Sequence, residues 1–258
     1  QAEVAGEVTG LPDNIGVEGE LVTDSSAMQI TKALEKATQN EIARIDIKEG
    51  NSWWVTRLLA LSAGAVRAGT PKAIVFVGTR ENIGGTFLGW GEPSAILKAI
   101  LNDKKDYFTA YQRAQSIAKQ VGVFAVVSDP LPPHVPHIKA VEGVSLDFSV
   151  QRYATRDDYA RLGDAAFEQI LMDQLALYFE QTHDHLTLGR LQQLFEHCLY
   201  RDVINLESPP DQQMLSLLEP RGTYIALARN GRYEVLLKRE AGERIILRQL
   251  FTQVLQGK

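Results

Sequence analysis

Two stretches of this chain follow one order of elements, and a polypeptide that must place the same hairpin and helix twice has few ways to fold. The first, residues 72–101, reads KAIVFVG, a loop TRENIGG, then TFLGWG and PSAILKAIL: two short strands joined by a glycine-containing connection, then an amphipathic helix. The second, residues 223–251, reads TYIALA, the turn Arg229-Asn230-Gly231, RYEVLLK and GERIILRQLF. Placing Gly85 on Gly231, a shift of 146 positions, also places Phe87 on Tyr233, Ala95 on Ala241, Ile100 on Ile246 and Leu101 on Leu247.

Each stretch is preceded by a further strand and helix. Residues 43–47 (ARIDI) alternate apolar and polar side chains as a half-buried strand does, with Ile45 and Ile47 inward. Gly50-Asn51-Ser52 makes a turn, and Ser52 is placed to cap a helix that begins at Trp53. That helix is apolar nearly all round, which demands burial on more than one side, and Gly69 followed by Pro71 stops it. Pro93 suits the first turn of the next helix. Before the second hairpin, residues 202–207 (DVINLE) read as a strand and 209–218 (PPDQQMLSLL) as a short helix. The fold class expected is α/β, of the α+β kind, with two related βαββα units.

Before the first unit and between the two the pattern changes. Residues 1–23 read as loop or irregular edge strand, 26–38 and 107–119 as helices, and 121–127 (VGVFAVV) as a strand covered on both faces. Four prolines within residues 130–136 prevent helix or central strand. A bent strand is expected at 141–153, a helix at 157–182, and a second helix carrying the stripe Leu188, Leu191, Leu194, Phe195, Cys198 and Leu199. The organisation is thus a first α/β unit with an N-terminal extension and an extra helix and strand (1–129), a Pro-rich linker and strand (130–154), an inserted helical segment (155–200) and a second βαββα unit (201–258).

The βαββα order, with its second and third strands in a hairpin, is similar to cystathionine-β-synthase-type (CBS) domains, which usually occur in pairs. The resemblance rests on DVINLESPPDQQMLSLLEPRGTYIALARNGRYEVLLKREAGERIILRQL and on ARIDI…KAIVFVG…GTFLGWGEPSAILKAIL, under half of the chain, and is one of shape and hydrophobicity. It implies an adenine nucleotide in the cleft between paired units and regulation of an attached enzyme or channel. The family's ribose-contacting signature is a Ser/Thr followed three positions later by Asp at the start of the last helix. Gly91-Glu92-Pro93-Ser94 and Arg239-Glu240-Ala241-Gly242 lack it, which leaves Glu92 and Glu243 as the carboxylates placed to take a ribose hydroxyl.

Charge and motifs narrow the chemistry further. Lys plus Arg number 27 against 32 Asp plus Glu, and no basic run exceeds two residues. Phosphate surfaces need clustered positive charge, so neither a nucleic acid nor a membrane surface is expected as partner. The longest apolar run, residues 53–68, contains Arg57 and Arg67 and falls short of the roughly 20 residues that span a bilayer. The single cysteine, Cys198, excludes a disulfide framework and points to a reducing, cytoplasmic setting with a structural thiol. The chain starts at Gln1, read as a trimmed product, and its first thirty residues lack signal-peptide features.

No dinucleotide fingerprint, phosphate loop or nucleophile elbow is present. His134, His137, His183 and His185 with Asp184 are suitable metal-ligand types, but they fall on solvated turns and no metal is expected. Asp157, Asp158 and Asp184 read as helix-end carboxylates that favour the macrodipole. The remaining candidate cluster is Asp46, Asn51, Ser52, Trp53 and Arg57, gathered by the turn after ARIDI. Trp53, Trp54 and Trp90 suit either an adenine stack or the core.

The function expected is non-catalytic: a regulatory module that senses a small molecule, an adenine nucleotide being one candidate, or that mediates protein interaction, with no cofactor assigned. The apolar stripe between residues 157 and 200 is available for a homodimer or a protein partner. The alternatives are an enzyme with a site near Asp46, Ser52 and Arg57, and a helical adaptor or dimerisation module.

Overall fold

The helix with no polar face forms as Val55–Ala68 (α1), and every residue from 55 to 65 is buried. Gly69, at φ 73°, closes it in the left-handed conformation. Its N-terminus departs from expectation: Trp54 is the N-cap, and no side chain, Ser52 included, caps it. A passing segment supplies the acceptor instead. The Val55 N–H donates to the Asp184 carbonyl (2.9 Å), and the Leu186 N–H donates to the Trp53 carbonyl (2.7 Å). A backbone acceptor satisfies a first-turn donor as well as a hydroxyl does.

The computed structural model describes residues 7–8, 41–127, 166–179, 184–209, 212–213, 222–241, 243–244, 247–248 and 251. The elements expected at 26–38 and 130–154 lie outside them, as do the ends of the helix expected at 157–182. Of the short helix expected at 209–218, residues 212 and 213 are helical.

One face of α1 lies on a mixed sheet. Its strands are β1 (Glu7–Val8), β2 (Ile42–Asp46), β3 (Ala73–Arg80), β4 (Ile83–Gly91), β5 (Val203–Asn205), β6 (Tyr224–Arg229) and β7 (Arg232–Lys238), in the order β1-β2-β3-β4-β7-β6-β5. β1, β2 and β3 are parallel, β3 and β4 form a hairpin, β6 and β7 form the other, and β5 runs parallel to β6. Alternation along β2 and β3 sends Ala43, Ile45, Ile47, Ile74 and Phe76 into the core shared with α1, and Ile42, Ala73, Val75 and Val77 into a second core on the other face.

The duplication is visible in the hairpins, at a different offset from the one expected. Both turn over two residues with positive φ, Glu81-Asn82 (51°, 63°) and Asn230-Gly231 (50°, 74°), the signature of type I′ turns. Arg80 pairs with Ile83 and Arg229 with Arg232, so equivalent residues lie 149 apart, not 146. A register shift follows each turn at the same place: Gly78 pairs with Thr86 and Leu227 with Val235, again 149 apart. Gly85 falls at the irregularity rather than the turn, and Phe87 and Tyr233, matched as equivalents above, instead stack on each other (5.9 Å, 20°) where the hairpins meet. The equivalent strands β4 and β7 run antiparallel, joined at Thr86 and Arg232, which relates the two hairpins by a pseudo-two-fold rotation.

Helices α2 (Pro93–Asp103), α3 (Lys105–Val127), α4 (Ala166–Phe179) and α5 (Leu188–Phe195) complete the main layer. Pro93 occupies the first turn of α2 as expected. The strand expected at 121–127 does not exist; α3 runs through it. An apolar run of seven has no period that separates a buried strand from a buried helix, and no residue between 107 and 120 stops the helix. The apolar stripe of α4 and α5 is covered within the chain: Ile170, Leu171, Leu175, Leu191 and Phe195 belong to the same core as α1. Among the described residues no helix is long and apolar enough to cross a membrane.

A polar clamp holds the segment that receives α1. Asp184 Oδ2 accepts from Tyr107 Oη (2.6 Å), Lys104 Nζ (2.8 Å) and Arg190 Nη2 (2.9 Å), and Oδ1 accepts from Arg190 Nε (3.0 Å). Both terminal nitrogens of the same guanidinium also donate to Asp103. Asp184 is therefore the hub of a network, not a helix cap. Thr187 caps α5, its Oγ1 accepting from the Arg190 N–H (3.1 Å). Burial pushes the Asp184 carboxyl up, but hydrogen bonds from Arg190, Lys104 and Tyr107 outweigh it and hold the group at about 2.

Replacing Arg190 by Met leaves Asp103 and Asp184 facing each other without their shared cation, and a urea titration should show a loss of about 3 kcal/mol. Because the Asp184 folded-state pKa lies below its ordinary 3.8, its contribution is complete above pH 4 and disappears as pH falls through about 2. Calorimetry across that window should show Asp184→Asn losing about 2 kcal/mol less than the parent chain.

Candidate functional site

Three stretches that flank the strands meet at one groove. Gly69 ends α1 and the chain enters β3 through Pro71 and Lys72; β4 ends at Gly91 and Glu92-Pro93-Ser94 starts α2; Thr223 and Tyr224 start β6. Together with Ala65 and Val66 on the last turns of α1 they enclose an open groove of about 410 Å³. That is within the usual range for small-molecule sites, roughly 300–1,000 Å³. The groove is shared between the surroundings of the two hairpins: α1 and α2 flank β3–β4, and β6 belongs to the other.

Its walls divide by chemistry. Ala65, Val66, Pro71 and Pro93 are apolar, and Val66 is 44% exposed. Lys72, Glu92, Ser94 and Thr223 are polar and exposed. Glu92 is the N-cap residue of α2 by its backbone, with its carboxylate making no cap hydrogen bond.

The wall contributed by β6 is tied to Glu41. Tyr224 is buried, and its hydroxyl donates to Glu41 Oε2 (3.0 Å). Lys238 Nζ lies 3.0 Å from Glu41 Oε1, and the Glu41 carbonyl accepts from the Lys72 (2.6 Å) and Ala73 (3.1 Å) N–H groups. The hydrogen bond from Lys238 holds the Glu41 carboxyl below its ordinary range against opposition from burial, helped by Tyr224 and by the charges of Lys238 and Lys72. Tyr224 is driven up by burial, then by its bond to Glu41 and by the charges of Glu41 and Glu92. A phenol shifted this way stays protonated at neutral pH and serves as a donor, not a base. Behind it Trp90 stacks on Tyr200 (4.4 Å, 24°) and meets Tyr224 edge-on (5.3 Å, 88°).

Of the residues singled out from the sequence, Glu92 lines this groove. Glu243 is half-buried in the helical residues after β7 and does not line it. The sheet separates Asp46 from the helix residues of its cluster. Asp46 lies on the sheet face away from α1, where its Oδ1 accepts from the Lys48 N–H (2.8 Å). Asn51 is exposed, Ser52 and Trp53 are each 2% exposed, and Arg57 is 1% exposed with its guanidinium 4.8 Å above the Trp54 ring. Burial lowers the Arg57 pKa to about 10, which still leaves it charged at neutral pH. All three tryptophans are core residues. His185 packs its ring edge-on against Trp54 (5.2 Å), and the half-buried Cys198 thiol is pushed up by burial.

Lys72, Ser94, Thr223 and Tyr224 were not anticipated. The only local signal was that each borders an element the sequence did mark. Comparison of the chain with family models, curated proteins and solved structures found no match. Removing the Lys238 ammonium tests the electrostatics of the groove wall: in Lys238→Met the Glu41 carboxyl should titrate at a higher pH than in the parent, as read by ¹³C carboxyl NMR.

Proposed function

We propose that this chain is a non-catalytic, cytoplasmic regulatory module that senses a small molecule in the groove between its two units. The observation that carries this reading is the shared lining. A ligand there touches the end of α1 and the start of α2 in one unit and the start of β6 in the other. Its binding energy then depends on how the units are placed, and a ligand shifts a conformational equilibrium only through such differential contacts. The described lining residues also offer charge, hydroxyls and apolar surface, a composition suited to holding a molecule. An adenine nucleotide is the ligand class that the CBS resemblance implies.

A thermal-shift screen over adenine and guanine nucleotides and free amino acids tests the proposal, with Ser94→Trp as a variant that fills the groove from an exposed position. The cognate ligand should stabilise the parent by about 2.7 kcal/mol at a hundred times its dissociation constant. The folded Ser94→Trp protein should lose that response. A response that survives the plug counts against the groove.

A further inference from the structure

The charges around the groove narrow the ligand more than its volume does, on the reading that the groove is the binding site. Lys72 and Glu92 line it as exposed side chains. Behind them Glu41 and Lys238 already neutralise each other, and the Tyr224 hydroxyl is committed to Glu41. Among the described residues the groove lining therefore carries one lysine and one glutamate, Lys72 and Glu92. A dianion would bring two negative charges to a lining whose described residues offer one lysine, and would lie beside Glu92 as well. Like charges brought together in a partly enclosed site are penalised, and complementary ones select the partner.

We infer that the groove selects a small zwitterion with an apolar body, of the free amino-acid type. Its carboxylate pairs with Lys72, its ammonium pairs with Glu92, and its side chain lies against Val66, Pro71 and Pro93. Both ligand charges are then matched and the net charge of the site is unchanged.

Titration calorimetry on the full chain with L-phenylalanine and L-leucine tests this, alongside N-acetyl-L-phenylalanine, L-phenylalaninamide and AMP. One amino-acid site is expected, and either blocked derivative should bind at least about tenfold more weakly, the scale of one lost charge-assisted contact. Lys72→Ala should weaken L-phenylalanine and leave L-phenylalaninamide unchanged, while Glu92→Gln should weaken L-phenylalanine and leave N-acetyl-L-phenylalanine unchanged. Amino-acid binding indifferent to both substitutions overturns the inference. If AMP binds, loses affinity in Ser94→Trp, and the amino acids give no heat, the zwitterion is wrong and the groove stands. Silence from every probe here and in the thermal screen removes both.

Discussion

A helix without a polar face can exist in water only if every side is covered, and the segment Val55–Ala68 imposes that condition on the whole first unit. β2 and β3 cover one side, and α2 and α4 cover the others, burying Leu58, Leu59 and Leu61 among residues of both layers. Each such side chain contributes on the order of 1.5–3 kcal/mol when fully buried, so this helix outweighs any single polar contact in the fold. Burial raises a second demand, because a buried helix start needs acceptors for its N–H groups. Residues 184–186 meet it with backbone, and the Arg190–Asp184–Asp103 clamp keeps them in place.

The pseudo-two-fold pairing of β4 with β7 makes one sheet of two similar hairpins, but the halves differ in what surrounds them. In the first unit a 14-residue helix connects the parallel strands, and its end forms a wall of the groove. Toward the end of β4, past the junction with β7, Trp90 pairs with Tyr200 across reciprocal backbone hydrogen bonds (2.9 and 2.8 Å). Gly222 passes so near that a Cβ there would lie 2.6 Å from Trp90 Cζ2, and its φ of 77° is left-handed besides. The chain reaches Thr223 and Tyr224 through this tight passage, which fixes the second unit's side of the groove.

The hairpins and most helices were legible because their signals are local. Alternation marked β2, a glycine and proline marked the end of α1, and Pro93 marked the start of α2. Glycine misleads in the first hairpin, where matching Gly85 to Gly231 puts the turn in the wrong place. The two left-handed residues of the turn itself are Glu81 and Asn82, and Gly85, at φ 72°, sits where the ladder slips register. The seven-residue apolar run at the end of α3 carried no period, so only its continuity with the helix before it decides its conformation. In the site, Glu92 was legible from its place before a helix, whereas the Asp46 cluster was gathered by sequence proximity that the sheet then separated onto two faces.

The amino-acid order by itself determined the repeated hairpin, the α/β class and the burial of α1 over residues 55–65, since each follows from side-chain period and from residues that start or stop elements. Only the tertiary structure decided which backbone satisfies the start of α1, that Asp184 is a hub, and that Lys72, Glu92 and Tyr224 share one groove. Those relations join residues up to some 150 positions apart, and no period, cap or turn chemistry within a short window encodes which distant partner a side chain will meet.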